Sequence, residues 1–242
     1  MASKFWDSTA RKYASRPVSN EGAYAQTLSS VRSRLTPASR ILEVGCGTGS
    51  TVLKLAPFCA SVHGTDFSKE MVAICNEKLS QAKAGGGGSE GVGAKDTPVK
   101  KGLDHVSFST LDVCTPLPET SPLRASQDTV LAFNLLYLLP SLPVALCNIN
   151  TMLTPGGLFI SKNMVSDRMS FTYKILGKVV PVMALVGLAP PGGIKFQTAD
   201  ELESSMKGAG FEIVESKFPE GDEMRRYVVA KKVREMEEEK EH

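Results

Sequence analysis

Short apolar runs alternate with amphipathic stretches along most of the chain. Residues 40–45, 61–66, 105–110, 129–134, 157–162, 211–216 and 226–231 each read as a strand, being brief, rich in β-branched or aliphatic residues and closed by turn formers. Between them, helical spacing of apolar positions covers 51–56, 69–83, 142–153 and 199–209. Strands that alternate with helices stack in parallel, because each crossover helix must return the chain to the same end of the sheet. The pattern therefore predicts an α/β fold, a doubly wound sheet with helices on both faces. The last two strands follow one another without a helix, so that pair is expected to be antiparallel.

Two stretches depart from this alternation. Residues 84–102 are rich in glycine and poor in apolar side chains, and are expected to form a flexible loop. Residues 165–197 form an insertion whose apolar positions, Phe171, Ile175, Leu176, Val179, Val182, Met183 and Val186, share one helical face. The face at 171–188 suits a cap over a lipophilic substrate, a peripheral membrane contact or a dimer contact, so monomer and homodimer both stand. A length of 242 residues fits one domain, 1–242, carrying these insertions.

Charge and cysteine usage narrow the function further. The net charge is +2, with no dense Lys/Arg run to hold a phosphate backbone, which disfavours nucleic acid as a partner. Five cysteines, scattered without paired or His-associated spacing, read as reduced thiols and indicate no metal site. The opening residues lack the apolar stretch of a signal peptide, and the apolar run 179–189 is shorter than the roughly 20 residues of a membrane-spanning helix. A cytoplasmic protein is expected.

The chemistry concentrates at Ile41-Leu42-Glu43-Val44-Gly45-Cys46-Gly47-Thr48-Gly49, where a strand enters a glycine turn and then a helix. Glycine lets the backbone turn tightly and come close to a ligand, while the helix start offers free N–H groups. The spacing is G-x-G-x-G rather than the dinucleotide G-x-G-x-x-G, and Glu43 would repel a pyrophosphate. A ligand with an ammonium and a sulfonium group tolerates that acid. Asp66 closes the next strand, where a carboxylate can accept both hydroxyls of a ribose. In the following Phe67-Ser68-Lys69-Glu70-Met71, Ser68 caps a helix and Met71 can lie across a flat base. Asp112 follows the third strand, where it can accept from an exocyclic amine.

These motifs, E-V-G-C-G-T-G at 43–49, T-D-F-S-x-x-M at 65–71, L-D-V at 111–113 and L-T-P-G-G at 153–157, make the chain similar to the class I S-adenosylmethionine-dependent methyltransferases. The resemblance is greatest to the small-molecule branch that includes the ubiquinone and menaquinone biosynthesis type. It implies a Rossmann-like, seven-stranded sheet, mostly parallel with its last strand antiparallel. It also implies S-adenosylmethionine as cofactor: the methionine part on Gly45, Gly47 and Gly49, the ribose on Asp66 and adenine on Asp112. The opening F-W-D-S-T-A-R-K-Y looks like the family's N-terminal segment, which would close Tyr13 over the cofactor. Glu43, Cys46, Phe67, Met71, Val113 and Asn134 complete the expected cofactor contacts.

Methyl transfer is an in-line displacement, so the protein mainly aligns the reactants and excludes water. Asn134-Leu135-Leu136-Tyr137 ends the fourth strand where enzymes acting on exocyclic amines carry an Asn/Asp-Pro-Pro-aromatic motif, which argues against such amines. None of the three histidines is placed to remove a proton, leaving Tyr137 and Lys162 as candidate catalytic groups near the strand ends, with Asp167 following in the next loop. The scarcity of bases points to a soft or already anionic nucleophile on a small lipophilic or aromatic acceptor. The competing reading is a catalytically silent protein that binds S-adenosylmethionine or rests on a membrane surface.

Overall fold

A computed structural model describes residues 2–85, 102–169, 180 and 193–234. The elements run α1 (Ala2–Ala14), α2 (Glu21–Arg32), β1 (Arg40–Val44), α3 (Ser50–Leu55), β2 (Ser61–Asp66), α4 (Lys69–Ala84), β3 (Val106–Thr110), β4 (Gln127–Phe133), α5 (Leu142–Met152), β5 (Leu153–Met164), α6 (Ala199–Gly208), β6 (Phe211–Lys217) and β7 (Arg225–Lys232). The seven strands form one sheet in the order β3-β2-β1-β4-β5-β7-β6. All neighbours are parallel except β7, which inserts antiparallel between β5 and β6.

The central strands are buried on both faces, which is why they read as nearly continuous apolar runs. Side chains alternate between two cores. Leu42, Val130, Ala132, Phe159 and Val228 pack with Leu146, Ile149, Leu202 and Met206 of α5 and α6. Ile41, Leu131, Ile160, Tyr227 and Val229 pack with Val31 of α2, Val52 and Leu55 of α3, and Cys75 and Leu79 of α4. The sheet is thus covered on both sides, as the alternating sequence pattern predicts.

Local signals set the element ends. Ser68 caps α4 by accepting from the Met71 N–H at 3.2 Å. A full capping box, Thr198 with Glu201, starts α6. Two helices, α1 and α2, precede the first strand and were not among the expected elements. The buried stripe of α2 is Ala23, Thr27 and Val31, small or polar residues at four-residue spacing that give little hydrophobic contrast. Strand β5 starts earlier than the apolar pattern indicates, at Leu153, and pairs with β4 across an irregularity between Gln127 and Thr129.

Among the described residues no helix is long and apolar enough to cross a membrane, and no cluster of three or more His, Cys, Asp or Glu side chains could hold a metal ion. The expected loop at 84–102 falls outside the described residues except at its two ends, as does the expected cap at 165–197 over 170–179 and 181–192. Of the face at 171–188 only Val180 is described, and it is buried.

Candidate functional site

The site grows from the carboxyl end of β1. Gly45, Gly47 and Gly49 all hold left-handed backbone conformations, with φ of 64°, 54° and 74°, which L side chains rarely adopt. Their surroundings differ. A Cβ on Gly45 would lie 2.6 Å from Leu135 Cδ1, and one on Gly49 would lie 2.8 Å from Phe108 Cε1 and 2.9 Å from Cys75 Sγ. These two glycines are demanded by the protein's own packing. Gly47 is open: its nearest neighbour would be Tyr13 Cε1, at 3.8 Å. The middle glycine therefore faces a space left free by the fold.

Three groups surround that space. Asp66, at the end of β2, is 7% exposed and accepts from the Gly47 N–H at 2.9 Å and the Ser68 N–H at 3.0 Å. Burial pushes its carboxyl above the usual range, against the pull of those N–H groups. Glu43, on β1, is buried. Its carboxyl receives hydrogen bonds from the Thr51 hydroxyl and the Val52 N–H at the start of α3, and desolvation raises it well above an ordinary glutamate. Its Oε2 is buried without a hydrogen-bond partner. An orphaned acid oxygen beside a glycine turn has a standing capacity to accept from a cationic group.

Tyr13 lies over Gly47 because α1 is anchored on α4. Ser68 Oγ donates to Asp7 Oδ1 at 2.6 Å, and Arg11 makes a two-pronged contact with Glu77 at 2.5 and 2.6 Å. Trp6 and Ala10 pack against Met71 and Ile74. The Tyr13 hydroxyl is raised by burial, then by the negative fields of Glu43 and Asp66. Cys46 donates its backbone N–H to the Thr65 carbonyl at 2.9 Å, tying the turn to β2. Its thiol is pushed up by a hydrogen bond with Cys75 and by burial, so it stands as an inert thiol.

The end of β4 forms the other wall. Asn134 sits in the left-handed region at φ 54°, donates its N–H to the Lys162 carbonyl at 2.8 Å and accepts from Arg225 Nε at 2.7 Å. A 3₁₀ turn, Leu136–Leu138, carries Tyr137, whose ring stacks on Phe196 with centroids 5.6 Å apart. Burial pushes the Tyr137 hydroxyl up to about 12, which makes it a neutral donor at physiological pH and a poor proton acceptor. Beside this turn lies a cleft of about 230 Å³, lined among others by Leu136, Leu139, Pro140, Leu142, Lys195 and Gln197. It shares no lining residue with the glycine turn.

The structure thus gathers Tyr13, Glu43, Gly45, Cys46, Gly47, Gly49 and Asp66 at one place, with Asn134 and Tyr137 on the neighbouring strand end. Phe67 is half-buried next to Asp66. Other expected residues are engaged differently. Met71 is 3% exposed and packs under α1 rather than presenting a face to a ligand. Val113 belongs to the core beneath α5. Asp112 is exposed, and its Oδ1 accepts from the Cys114 N–H at 2.9 Å. Lys162, the other candidate proton-removing group, lies among groups of α2 and of the turn before β7. Its Nζ is buried against Asp222 Oδ2 at 2.9 Å, Thr27 Oγ1 at 3.1 Å and the Ala23 carbonyl at 3.4 Å, so its hydrogen-bonding capacity is taken up by the protein itself.

Asp222 and Arg225 were not foreseen. They belong to Glu220-Gly221-Asp222-Glu223-Met224-Arg225-Arg226, which reads as a solvated charged turn. The signal was the antiparallel direction of the last strand, which carries its first residues to the ligand-binding end of the parallel strands. Asp222 Oδ1 accepts from Arg225 Nη1 at 3.1 Å, so one buried carboxylate serves both Lys162 and Arg225.

Comparison with known proteins gives the family. Residues 17–216 match a family model described as a methyltransferase domain. An O-methyltransferase, cnsE of Penicillium expansum, is 26% identical over 185 residues, covering 75% of this chain and 56% of that protein. The highly reducing polyketide synthase lcsB of Purpureocillium lilacinum is 27% identical over 165 residues, covering 64% of this chain and 6% of that protein. The chain therefore spans only part of each of these relatives. Among solved structures, magnesium protoporphyrin IX methyltransferase from Synechocystis PCC 6803 with bound SAH superposes with a TM-score of 0.64 at 19% identity, covering 95% of this chain and 97% of that one. With a family match over residues 17–216 and a Rossmann-like sheet that superposes on such a neighbour, the chain belongs to the methyltransferase-domain family.

Proposed function

We propose that this enzyme methylates an acidic hydroxyl, a phenol or enol, on a small aromatic or lipophilic acceptor. The observation that carries the reading is the pairing of aromatic walls with the lack of a free base among the described residues at the site. Tyr13 stands over Gly47, and Tyr137 stacks on Phe196 at the end of β4. Tyr137 is held neutral, and Lys162 is buried against Asp222, Thr27 and the Ala23 carbonyl. An acceptor that ionises easily needs no strong base, and flat rings suit aromatic walls. The names of cnsE, an O-methyltransferase, and lcsB, a polyketide synthase, point to similar oxygen-rich acceptors.

The residues present fit the cofactor. The orphaned Glu43 Oε2 suits an ammonium, the open face at Gly47 admits a close ligand, and Asp66 suits a ribose diol once its Gly47 contact opens. Bound S-adenosylmethionine supplies a methyl group on a positively charged sulfur. The chain's own residues then position and shield: Tyr13 covers the turn, Asp66 and Glu43 fix the cofactor's polar ends, and Tyr137 donates a hydrogen bond from its neutral hydroxyl. Alignment of nucleophile and methyl carbon in a dry site accounts for most of the rate in such a displacement.

The test is incubation with methyl-labelled S-adenosylmethionine and a panel of phenols, enolic polyketide fragments, thiols, quinone precursors and fatty acids, with Asp66→Ala as control. Label transfer to an acidic phenol or enol, lost in the control, is the expected result. Transfer confined to thiols or fatty acids would overturn the acceptor class. Cofactor binding without transfer to any member would favour the catalytically silent reading.

A further inference from the structure

The charged groups at the ends of β5 and β7 do not balance. Lys162 Nζ and Arg225 Nη1 share the single carboxylate of Asp222, at 2.9 and 3.1 Å. The side chains of Asp222 and Lys162 are 7% and 8% exposed, while that of Arg225 is 25% exposed. Two cations against one anion leave one positive charge, and the member open to solvent is Arg225. Its guanidinium is not free to swing. Nε donates to Asn134 Oδ1 at 2.7 Å and Nη1 is held by Asp222, whereas Nη2 makes no hydrogen bond to the described residues.

The guanidinium is held in place by its neighbours. Asn134 ends β4, beside the Leu135 side chain that closes on Gly45. The field of Arg225 reaches the hydroxyls of both Tyr13 and Tyr137, lowering each against the effect of burial. The bond of Arg225 to Asn134, two residues before the 3₁₀ turn that carries Tyr137, and its place at the start of the antiparallel β7 put the guanidinium at the carboxyl ends of the parallel strands. A planar cation fixed at two of its nitrogens with a third N–H edge open is a preorganised seat for an oxyanion. Asn134 pays for its part in strain, holding a left-handed backbone unusual for a non-glycine residue.

Resting on the acceptor reading above, we infer that Arg225, oriented by Asn134 and Asp222, binds the methyl acceptor through an ionised oxygen, so that the substrate is a small planar anion such as an aryl carboxylate, phenolate or enolate. The seat supplies what a missing base would otherwise supply: it favours the ionised form of the acceptor over the neutral one. Arg225 touches substrate on this account, whereas Lys162 and Asp222 act through it.

The experiment titrates benzoate and its neutral isostere benzamide into the whole chain, with and without saturating S-adenosylhomocysteine, by calorimetry. In parallel, the Nε–H resonance of Arg225 is followed in protein isotopically labelled at arginine. Wild type should bind benzoate about tenfold or more tighter than benzamide, the scale expected of a charge-assisted contact in a half-buried site. Benzoate alone should move the Arg225 resonance. Arg225→Met should erase the preference and leave S-adenosylhomocysteine affinity within about twofold of wild type, since the variant removes no cofactor contact. Arg225→Lys should retain part of the preference.

Equal affinities in wild type, no detectable benzoate binding, an unmoved resonance or a preference that survives Arg225→Met would each overturn the inference. A large loss of S-adenosylhomocysteine affinity in Arg225→Met would overturn it too, by assigning the arginine to the cofactor's own carboxylate. The resonance is read on wild type, so the test stands even where a variant fails to fold. Failure of S-adenosylhomocysteine to bind wild type would instead strike the methyltransferase reading, with the anion titration in its absence still deciding the role of Arg225.

Discussion

Gly47 and Gly49 differ in what lies beside them, and alanine substitution separates ligand space from packing. Both occupy the left-handed region, at φ 54° and 74°, where an alanine costs about 1–2 kcal/mol. For Gly47→Ala that is the whole structural cost, because the new Cβ meets nothing nearer than Tyr13 Cε1 at 3.8 Å. For Gly49→Ala the Cβ would fall 2.8 Å from Phe108 Cε1 and 2.9 Å from Cys75 Sγ, and both neighbours are held in the core around α4. Overpacking of this kind adds about 1–3 kcal/mol, for a total of about 2–5 kcal/mol. At this size each kcal/mol moves the melting point by roughly 2–4 °C. Urea denaturation and S-adenosylhomocysteine calorimetry on both variants give the contrast. Gly47→Ala should stay folded within about 2 kcal/mol of wild type and lose about tenfold or more in affinity, since the methyl occupies ligand space. Gly49→Ala should be the less stable of the two. Wild-type affinity in Gly47→Ala, or equal stability of the two variants, would refute the division of roles.

The buried acids and the network around Arg225 give further outcomes. Glu43 carries more protons folded than unfolded over the range from an ordinary glutamate value, about 4.3, up to its raised folded value. Its contribution to stability of the cofactor-free protein therefore falls as pH rises through that window. Glu43→Gln should flatten this part of the stability profile and be more stable than wild type at neutral pH, and an unchanged slope in denaturant melts would contradict the buried, protonated acid. Asp222→Ala leaves Lys162 buried without its 2.9 Å partner and should cost about 3–5 kcal/mol in urea denaturation; a loss under 1 kcal/mol would show that the pair is solvated. Because its hydroxyl titrates near 12, Tyr137→Phe should leave the pH profile of kcat/KM unchanged between about pH 6 and 9. Disappearance of a limb in that range would make Tyr137 the base after all.

The parallel core was readable because strands buried on both faces, such as Ile41-Leu42-Glu43-Val44 and Thr129-Val130-Leu131-Ala132, are short apolar blocks separated by helices. The cofactor end was readable because glycine at 45, 47 and 49 answers a backbone demand that few other residues meet, and because Asp66 ends a strand beside it. Helix α2 was hidden: its buried stripe of Ala23, Thr27 and Val31 carries too little hydrophobic contrast to stand out. The roles of Met71 and Lys162 depend on what packs over them. Met71 lies under α1 and Lys162 reaches α2, two helices before the first strand that were not among the expected elements. Asp222 and Arg225 were hidden for a related reason, since a charged turn becomes a buried network only when an antiparallel strand returns it to the sheet's ligand-binding end. Local backbone requirements leave marks in sequence, whereas charges paired across 60 residues of chain, as Lys162 with Asp222, do not.

The account rests on the glycine turn and Asp66 forming the cofactor seat, and titration of S-adenosylhomocysteine into wild type and Asp66→Ala by calorimetry tests it most directly. One binding event per chain is expected for wild type, weakened about tenfold or more in Asp66→Ala with the variant still folded. No heat of binding to wild type, or equal affinity in the variant, would contradict it.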